Sequence, residues 1–198
     1  MSGKTIDFYF DFGSPTAYLA WTQLPAIAME CRAEIAWRPM LLGGVFKATG
    51  NSSPVLVEPK GKWMWSDMAR WARRYGVKIE KNPYFIINTL TLMRGAIGYQ
   101  LREPDRFLKY VDVMYRSTWL ESLNTGDASV VAQILRKAGF DPEAFVQMTN
   151  DPDIKQKLIL ATEAAVKRGV FGAPTMFVGD EMFFGQDRLE FVRDALKA

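Results

Sequence analysis

Asp11-Phe12-Gly13-Ser14-Pro15 joins an apolar, β-rich run (Ile6, Phe8, Tyr9, Phe10) to a helical one (Ala17, Tyr18, Leu19, Ala20, Leu24). Serine immediately before a helix is a favoured N-cap, and Pro15 then takes the first helical position, where its missing N–H costs nothing. The free N–H groups of such a first turn, together with the helix dipole, favour an anion beside Ser14. Taken alone, Ser14 is a helix cap.

A second stretch belongs with the first: Val170-Phe171-Gly172-Ala173-Pro174-Thr175-Met176-Phe177-Val178. Its apolar residues lead directly into a strand. A proline in a strand-like run marks an edge, a bulge or a cis bond.

Composition narrows the function classes. The 198 residues suit one domain, or one domain with an insertion. Hydrophobic content of 48% and charged content of 24% are those of an ordinary globular protein. No run reaches the ~18 apolar residues that a membrane span needs. Met1-Ser2-Gly3-Lys4-Thr5 passes into a strand without a signal-peptide pattern, so the chain is expected to be cytoplasmic. The single cysteine, Cys31, excludes an internal disulfide and a dithiol cycle within one subunit. It falls late in the first helix, far from Ser14, and reads as a buried structural thiol.

A net charge of +3 suits small anionic ligands better than nucleic acid, and no basic face is interleaved with stacking aromatics. The chain has no histidine, which removes the commonest metal ligand and general base. A Ser-His-Asp hydrolase is therefore excluded. No carboxylate cluster has metal-site spacing.

Strands are expected from Ile6 to Phe12 and from Glu34 to Arg38, with a helix from Pro15 to Met29 between them. Gly43, Gly44, Gly50, Asn51, Ser52, Ser53 and Pro54 read as a long loop. Helices follow over Pro59–Tyr75, with Gly76 as C-cap, then Asn88–Leu101 and Asp105–Leu120. Asp127 starts another, which Gly139 stops. Asp141-Pro142 and Asp151-Pro152 are N-cap and first-turn pairs, the second opening a helix to about Arg168. Thr175–Val178 and Met182–Phe184 form a hairpin around Gly179-Asp180, and a last helix follows Asp187. The order is β-α-β, a helical block, then β-β-α. That is an α/β sheet domain of residues 1–45 and 165–198 with a helical insertion of residues 46–164.

With these residues in view the chain resembles the 2-hydroxychromene-2-carboxylate isomerases and their relatives, the kappa-class glutathione transferases. Both fall in the DsbA-like branch of thioredoxin folds. The resemblance covers nearly the whole chain. It rests on Phe10-Asp11-Phe12-Gly13-Ser14-Pro15, Gly50-Asn51, Pro59-Lys60-Gly61, Phe171-Gly172-Ala173-Pro174-Thr175 and Phe184-Gly185-Gln186-Asp187-Arg188, in that order. It implies a thioredoxin-like sheet with inserted helices. Thioredoxin-like chains carry a redox Cys-X-X-Cys at such a strand-to-helix junction. Here the first position is Ser14 and the fourth is Ala17, so the sulfur must come from elsewhere.

The resemblance implies that glutathione supplies it. Ser14 is then the catalytic thiolate stabiliser, and the helix dipole helps to lower the thiol pKa. Ala173 offers its backbone N–H and C=O to the cysteinyl part, and Pro174 is cis. Gln186 and Asp187 meet the γ-glutamyl end, where a carboxylate pairs with the ligand ammonium; by itself Asp187 is a helix N-cap. Asn51 lies beside the tripeptide and Lys60 at its glycyl carboxylate; by themselves they are a turn residue and a solvated charge. Asn88 faces the substrate, or else caps a helix. Trp63, Trp65, Phe85 and Trp119 line a pocket for a flat aromatic substrate, or else belong to the core. Arg94 or Lys47 meets a substrate carboxylate.

The implied activity is interconversion of a hydroxychromene carboxylate and its open benzylidenepyruvate isomer. Thiolate addition makes the bond that must rotate single, and thiolate expulsion regenerates glutathione. The alternatives are a kappa-class transferase, which consumes glutathione, and a non-catalytic DsbA-like binding module. Family analogy implies a homodimer acting on a small aromatic-derived substrate, with no nucleic acid or membrane partner.

Overall fold

The computed structural model describes residues 4–198; the N-terminal reading of Met1, Ser2 and Gly3 lies outside them. β1 (Thr5–Phe10), α1 (Pro15–Cys31) and β2 (Glu34–Pro39) form a β-α-β unit whose strands pair in parallel, from Thr5 opposite Glu34 to Phe10 opposite Pro39. β3 (Thr175–Val178) runs antiparallel to β1, and β4 (Glu181–Phe184) antiparallel to β3. The sheet order is β2-β1-β3-β4. Strand β1 is central: Ile6, Phe8 and Phe10 make one face wholly apolar, while the other carries Asp7, paired with Arg38 and Arg168, beside Tyr9.

Between the two halves of the sheet run α2 (Leu42–Thr49), α3 (Glu58–Tyr75), α4 (Leu90–Arg102), α5 (Pro104–Trp119), α6 (Ala128–Lys137), α7 (Pro142–Asn150) and α8 (Pro152–Lys167); α9 (Leu189–Lys197) closes the chain. Ile6, Phe8 and Phe10 join the main core with residues of α1, α4 and α5. Tyr9 points to the other face, into a smaller cluster with Met40, Val45, Ala165 and Phe177. The core is built on aromatic contacts. Phe8 stacks on Phe10 at 5.5 Å, and Phe12 meets Tyr115 edge-on at 5.1 Å.

The Asp-Pro signals hold at atomic level. Asp141 accepts from Glu143 N at 2.8 Å and Asp151 from Asp153 N at 2.8 Å; Asp127 accepts from Ser129 N at 2.7 Å. Gly76 ends α3 in the left-handed conformation, φ 68°.

Some expectations need correction. The segment after β2 is not a loop throughout: Leu42–Thr49 is α2, and Pro54–Leu56 makes a 3-10 turn. Its two glycines argue against a helix by propensity, but tertiary contacts override them. Val45 is buried, Leu42 N is anchored on a buried carboxylate, and Gly50 caps the end at φ 70°. β1 ends at Phe10, because Asp11 and Phe12 turn the chain toward α1. α4 begins at Leu90, two residues later than expected. Asp187 does not cap the last helix: Gln186–Arg188 form a 3-10 turn, and Arg188 holds the cap position of α9. Cys31 is only partly buried, as the last residue of α1.

Candidate active site

The turn that carries Ser14 is built from below. Asp11 is fully buried, and its two carboxylate oxygens accept from Gly13 N at 2.8 Å and Leu42 N at 2.7 Å. One side chain thereby fixes both the turn and the start of α2. Trp119 adds a third tie, its indole Nε1 donating to Phe12 O at 2.8 Å. Gly13 has little room: a Cβ there would lie 3.3 Å from Thr89 Cγ2.

Burial pushes the Asp11 carboxyl above the ordinary range, while the N–H groups of Leu42 and Gly13 pull the other way. A raised value means that Asp11 supports the fold most when protonated, and that this support fades as pH rises through the raised value. Asp11→Asn replaces one accepting oxygen with a donor and orphans a backbone N–H. It is expected to cost about 1–3 kcal/mol at neutral pH, and more in acid. A chain of this size loses about 2–4 °C in Tm per kcal/mol, so a thermal melt reads the change. An unchanged Tm would contradict this role for Asp11.

Ser14 is 4% exposed and holds the N-cap position with φ −99° and ψ 110°. Its Oγ accepts from Ala17 N at 3.1 Å and donates to Ala173 O at 2.8 Å. The Ala173–Pro174 peptide is cis, and the segment before β3 lies against the first turn of α1. Sequence reading missed Thr16. Its Oγ1 lies 3.0 Å from Ser14 Oγ and 3.2 Å from Ala173 O. A hydroxyl has one hydrogen to give, and that of Ser14 is spent on Ala173 O. Thr16 is placed to hold this carbonyl when Ser14 turns to another acceptor. The only signal in the sequence was a hydroxyl residue two positions beyond the cap.

The Ala173 carbonyl, expected to pair with a ligand backbone, is thus occupied by two hydroxyls. The Ala173 N–H donates to no group among the described residues. Gly185 N donates to Pro174 O at 3.0 Å, which brings Gln186 and Asp187 to the same edge. Gln186 is buried, and its backbone carbonyl accepts from the Tyr75 hydroxyl at 2.5 Å. Burial, then the charges of Asp187 and Glu190, hold the Tyr75 pKa up at about 12, so the hydroxyl remains a donor. Tyr75 too was missed, because nothing local distinguishes the end of α3. Asp187 is partly exposed and pairs with Arg188 at 2.8 Å.

Asn51 follows α2 and donates to Phe171 O at 2.9 Å, tying that loop to the Ala173–Pro174 segment. No described hydrogen bond brings Lys60 or Asn88 to Ser14. Lys60 is exposed in the first turn of α3. Asn88 accepts from Leu90 N at 3.1 Å, a capping contact, and borders a small cavity with residues of α6 and α7. Its neighbour Thr89 is the residue against Gly13.

The aromatic residues divide. Trp119 is fully buried and packs with Trp65 and Phe85 at 5.7–6.2 Å, so these belong to the core under the Ser14 turn. Trp63 is 63% exposed. Lys47 and Arg94 border one cleft, between α2, α4 and α8.

The arrangement gathers a hydroxyl, a backbone donor and a carboxylate along one edge. Ser14 sits at a helix N-terminus with a hydroxyl that can turn toward an anion. Beside it the Ala173 N–H has no acceptor among the described residues. Asp187 supplies a carboxylate at one end of this edge. Cys31 lies far from this turn: α1 has 17 residues, so its two ends are about 25 Å apart. No cluster of metal-ligating side chains occurs among the described residues, and no described helix is long and apolar enough to cross a membrane.

Comparison with known proteins adds to this geometry. Residues 5–197 match the family model of the DSBA-like thioredoxin domain. A 2-hydroxychromene-2-carboxylate isomerase of Sphingobium xenophagum is 34% identical over 98% of this chain and 98% of its own length. Human glutathione S-transferase kappa 1 is 25% identical over 98% of this chain and 91% of its own. A solved structure of a 2-hydroxychromene-2-carboxylate isomerase superposes with a TM-score of 0.86 at 32% identity, covering 98% of this chain and 94% of that one.

Proposed function

Because the chain belongs to the DSBA-like thioredoxin domain family, among the 2-hydroxychromene-2-carboxylate isomerases and kappa-class glutathione transferases, we propose that it is a glutathione-dependent isomerase. Its substrates are a 2-hydroxychromene-2-carboxylate and the corresponding trans-o-hydroxybenzylidenepyruvate, of the kind met in aromatic catabolism. The observation that carries the reading is the Ser14 hydroxyl, capping α1 opposite the cis Ala173–Pro174 peptide, in a chain whose only cysteine is at the other end of that helix. The same reading makes the protein a cytoplasmic homodimer.

Glutathione, when bound, supplies a thiolate that adds reversibly to a conjugated carbonyl compound, so that a double bond becomes free to rotate. The residues of this chain do the rest. Ser14 turns its hydroxyl from Ala173 O to the sulfur, and the α1 N-terminus adds its positive field. Thr16 keeps the hydrogen bond to Ala173 O during that exchange. The Ala173 N–H and the carbonyl lone pair left free hold the cysteinyl backbone in strand-like fashion. Asp187 takes the γ-glutamyl ammonium, with the 3-10 turn at Gln186 held in place by Tyr75. Asn51 keeps the α2 loop against the Phe171 backbone, and Lys60 reaches the glycyl carboxylate. Asn88 contacts the substrate. None of these side chains needs to act as a general base, which agrees with the absence of histidine.

Thr16→Val keeps the shape and removes the hydroxyl. Ser14 would then be the sole hydroxyl on Ala173 O, and turnover is expected to fall about fivefold, the worth of one modest hydrogen bond. Equal rates in Thr16→Val and wild type would remove Thr16 from the scheme.

The full reading is tested by incubating the protein with glutathione and a hydroxychromene carboxylate and following both by NMR. Substrate conversion with glutathione undiminished identifies an isomerase. The kappa-class relatives support a transferase as the second reading, and stoichiometric loss of the free thiol would identify that activity.

A further inference from the structure

Helices α2, α4 and α8 enclose a cleft of about 690 Å³, within the size range of sites that hold a small molecule. Its walls are apolar, with Leu41, Ala48, Leu90, Leu158 and Ile159 among them. Its charged residues are of unequal sign: Lys47, Arg94, Lys155 and Lys167 against Glu163 alone. None of these cations is in an ion pair among the described residues. Arg94 stands out because its Nε is buried and has no hydrogen-bond partner. A buried donor without an acceptor is costly.

An apolar cavity with an excess of positive charge and one unpaired guanidinium donor matches one ligand chemistry. The ligand has a hydrocarbon or aryl body and a single carboxylate, which Arg94 can take through two parallel N–H groups. The cleft adjoins the loops that carry Ser14. Leu41 precedes Leu42, whose N–H is held by Asp11, and Leu90 follows Thr89, which packs on Gly13.

We propose that this cleft binds an apolar monocarboxylate, its body against Leu41, Leu90 and Leu158 and its carboxylate on Arg94. The cleft does not depend on the glutathione reading; only the assignment of its ligand as the isomerase substrate rests on it. The alternative source is an apolar acid that binds as an effector.

The probe is trans-cinnamate, with cinnamyl alcohol as its uncharged counterpart, titrated calorimetrically into the full chain. Cinnamate is expected to bind more tightly than the alcohol. Arg94→Gln should weaken cinnamate about tenfold or more, and Glu163→Gln should tighten it about twofold. No cinnamate binding, or equal affinity in a folded Arg94→Gln variant, would overturn the proposal. If Arg94→Gln does not fold, Glu163→Gln decides, and an unchanged affinity there overturns it. Repeating the titration with saturating glutathione assigns the source. An altered affinity marks the ligand as the substrate of the Ser14 reaction, and an unaltered one marks an effector. Glutathione binding without the cinnamate effects would leave the proposed function standing and remove this site.

Discussion

Ser14→Ala is expected to lower kcat about 10²–10³-fold, the usual cost of removing one positioned donor to a reacting anion. Two losses combine in this variant. On the proposed function the ligand sulfur would lose the Ser14 hydroxyl, and Ala17 N loses its capping acceptor. The second loss concerns stability and is worth about 1 kcal/mol. A small drop in melting temperature with a large drop in turnover separates them. Glutathione affinity should fall less than turnover, because the contacts proposed for the peptide backbone and the γ-glutamyl end would remain. Steady-state rates at saturating glutathione check the expectation. Unchanged turnover in a folded Ser14→Ala protein would reduce Ser14 to a helix cap.

Asp187→Ala should show the opposite pattern. A charge-assisted hydrogen bond is worth about 1.5–3 kcal/mol, so glutathione binding is expected to weaken about 10–150-fold. Turnover at saturating glutathione should stay close to that of wild type, because the proposed function puts Asp187 at the end of the ligand away from the sulfur. The carboxylate is partly exposed and already paired with Arg188 at 2.8 Å, so on the proposed function it would exchange one cation for another on binding. That exchange places the expected effect toward the lower end of the range. Calorimetric titration of both proteins with glutathione reads the difference directly. Equal affinities would place the γ-glutamyl end elsewhere.

Much of the fold was legible because its signals are local. The Asp-Pro pairs at 141–142 and 151–152 each carry a cap and a first-turn proline, and both helices start there. Ser14-Pro15 is the same signal, and the proline within Gly-Ala-Pro-Thr is cis as expected. Signals that depend on tertiary contacts were not legible. Gly43 and Gly44 hide α2, which exists because Asp11 anchors its first N–H and Val45 is buried. Asp187 looks like a cap in sequence. In the fold Gly185 is held by Pro174 O, and the chain makes a 3-10 turn before α9.

The site divides in the same way. Ser14 and Ala173 announce themselves by motif and meet at 2.8 Å. Thr16 and Tyr75 acquire their places only when segments distant in sequence converge: Tyr75 reaches Gln186 from the far end of α3. The joint position of Lys47 and Arg94 on one cleft is likewise a product of helix packing, since α2 and α4 are separated by the whole of α3.

Under the proposed function this chain ionises a sulfur it does not itself carry. The most direct test is a pH titration of the ultraviolet thiolate absorbance of glutathione bound to the wild-type protein. The midpoint is expected well below that of free glutathione, returning toward the free value in Ser14→Ala. A midpoint equal to that of free glutathione, or no binding at all, would contradict the claim.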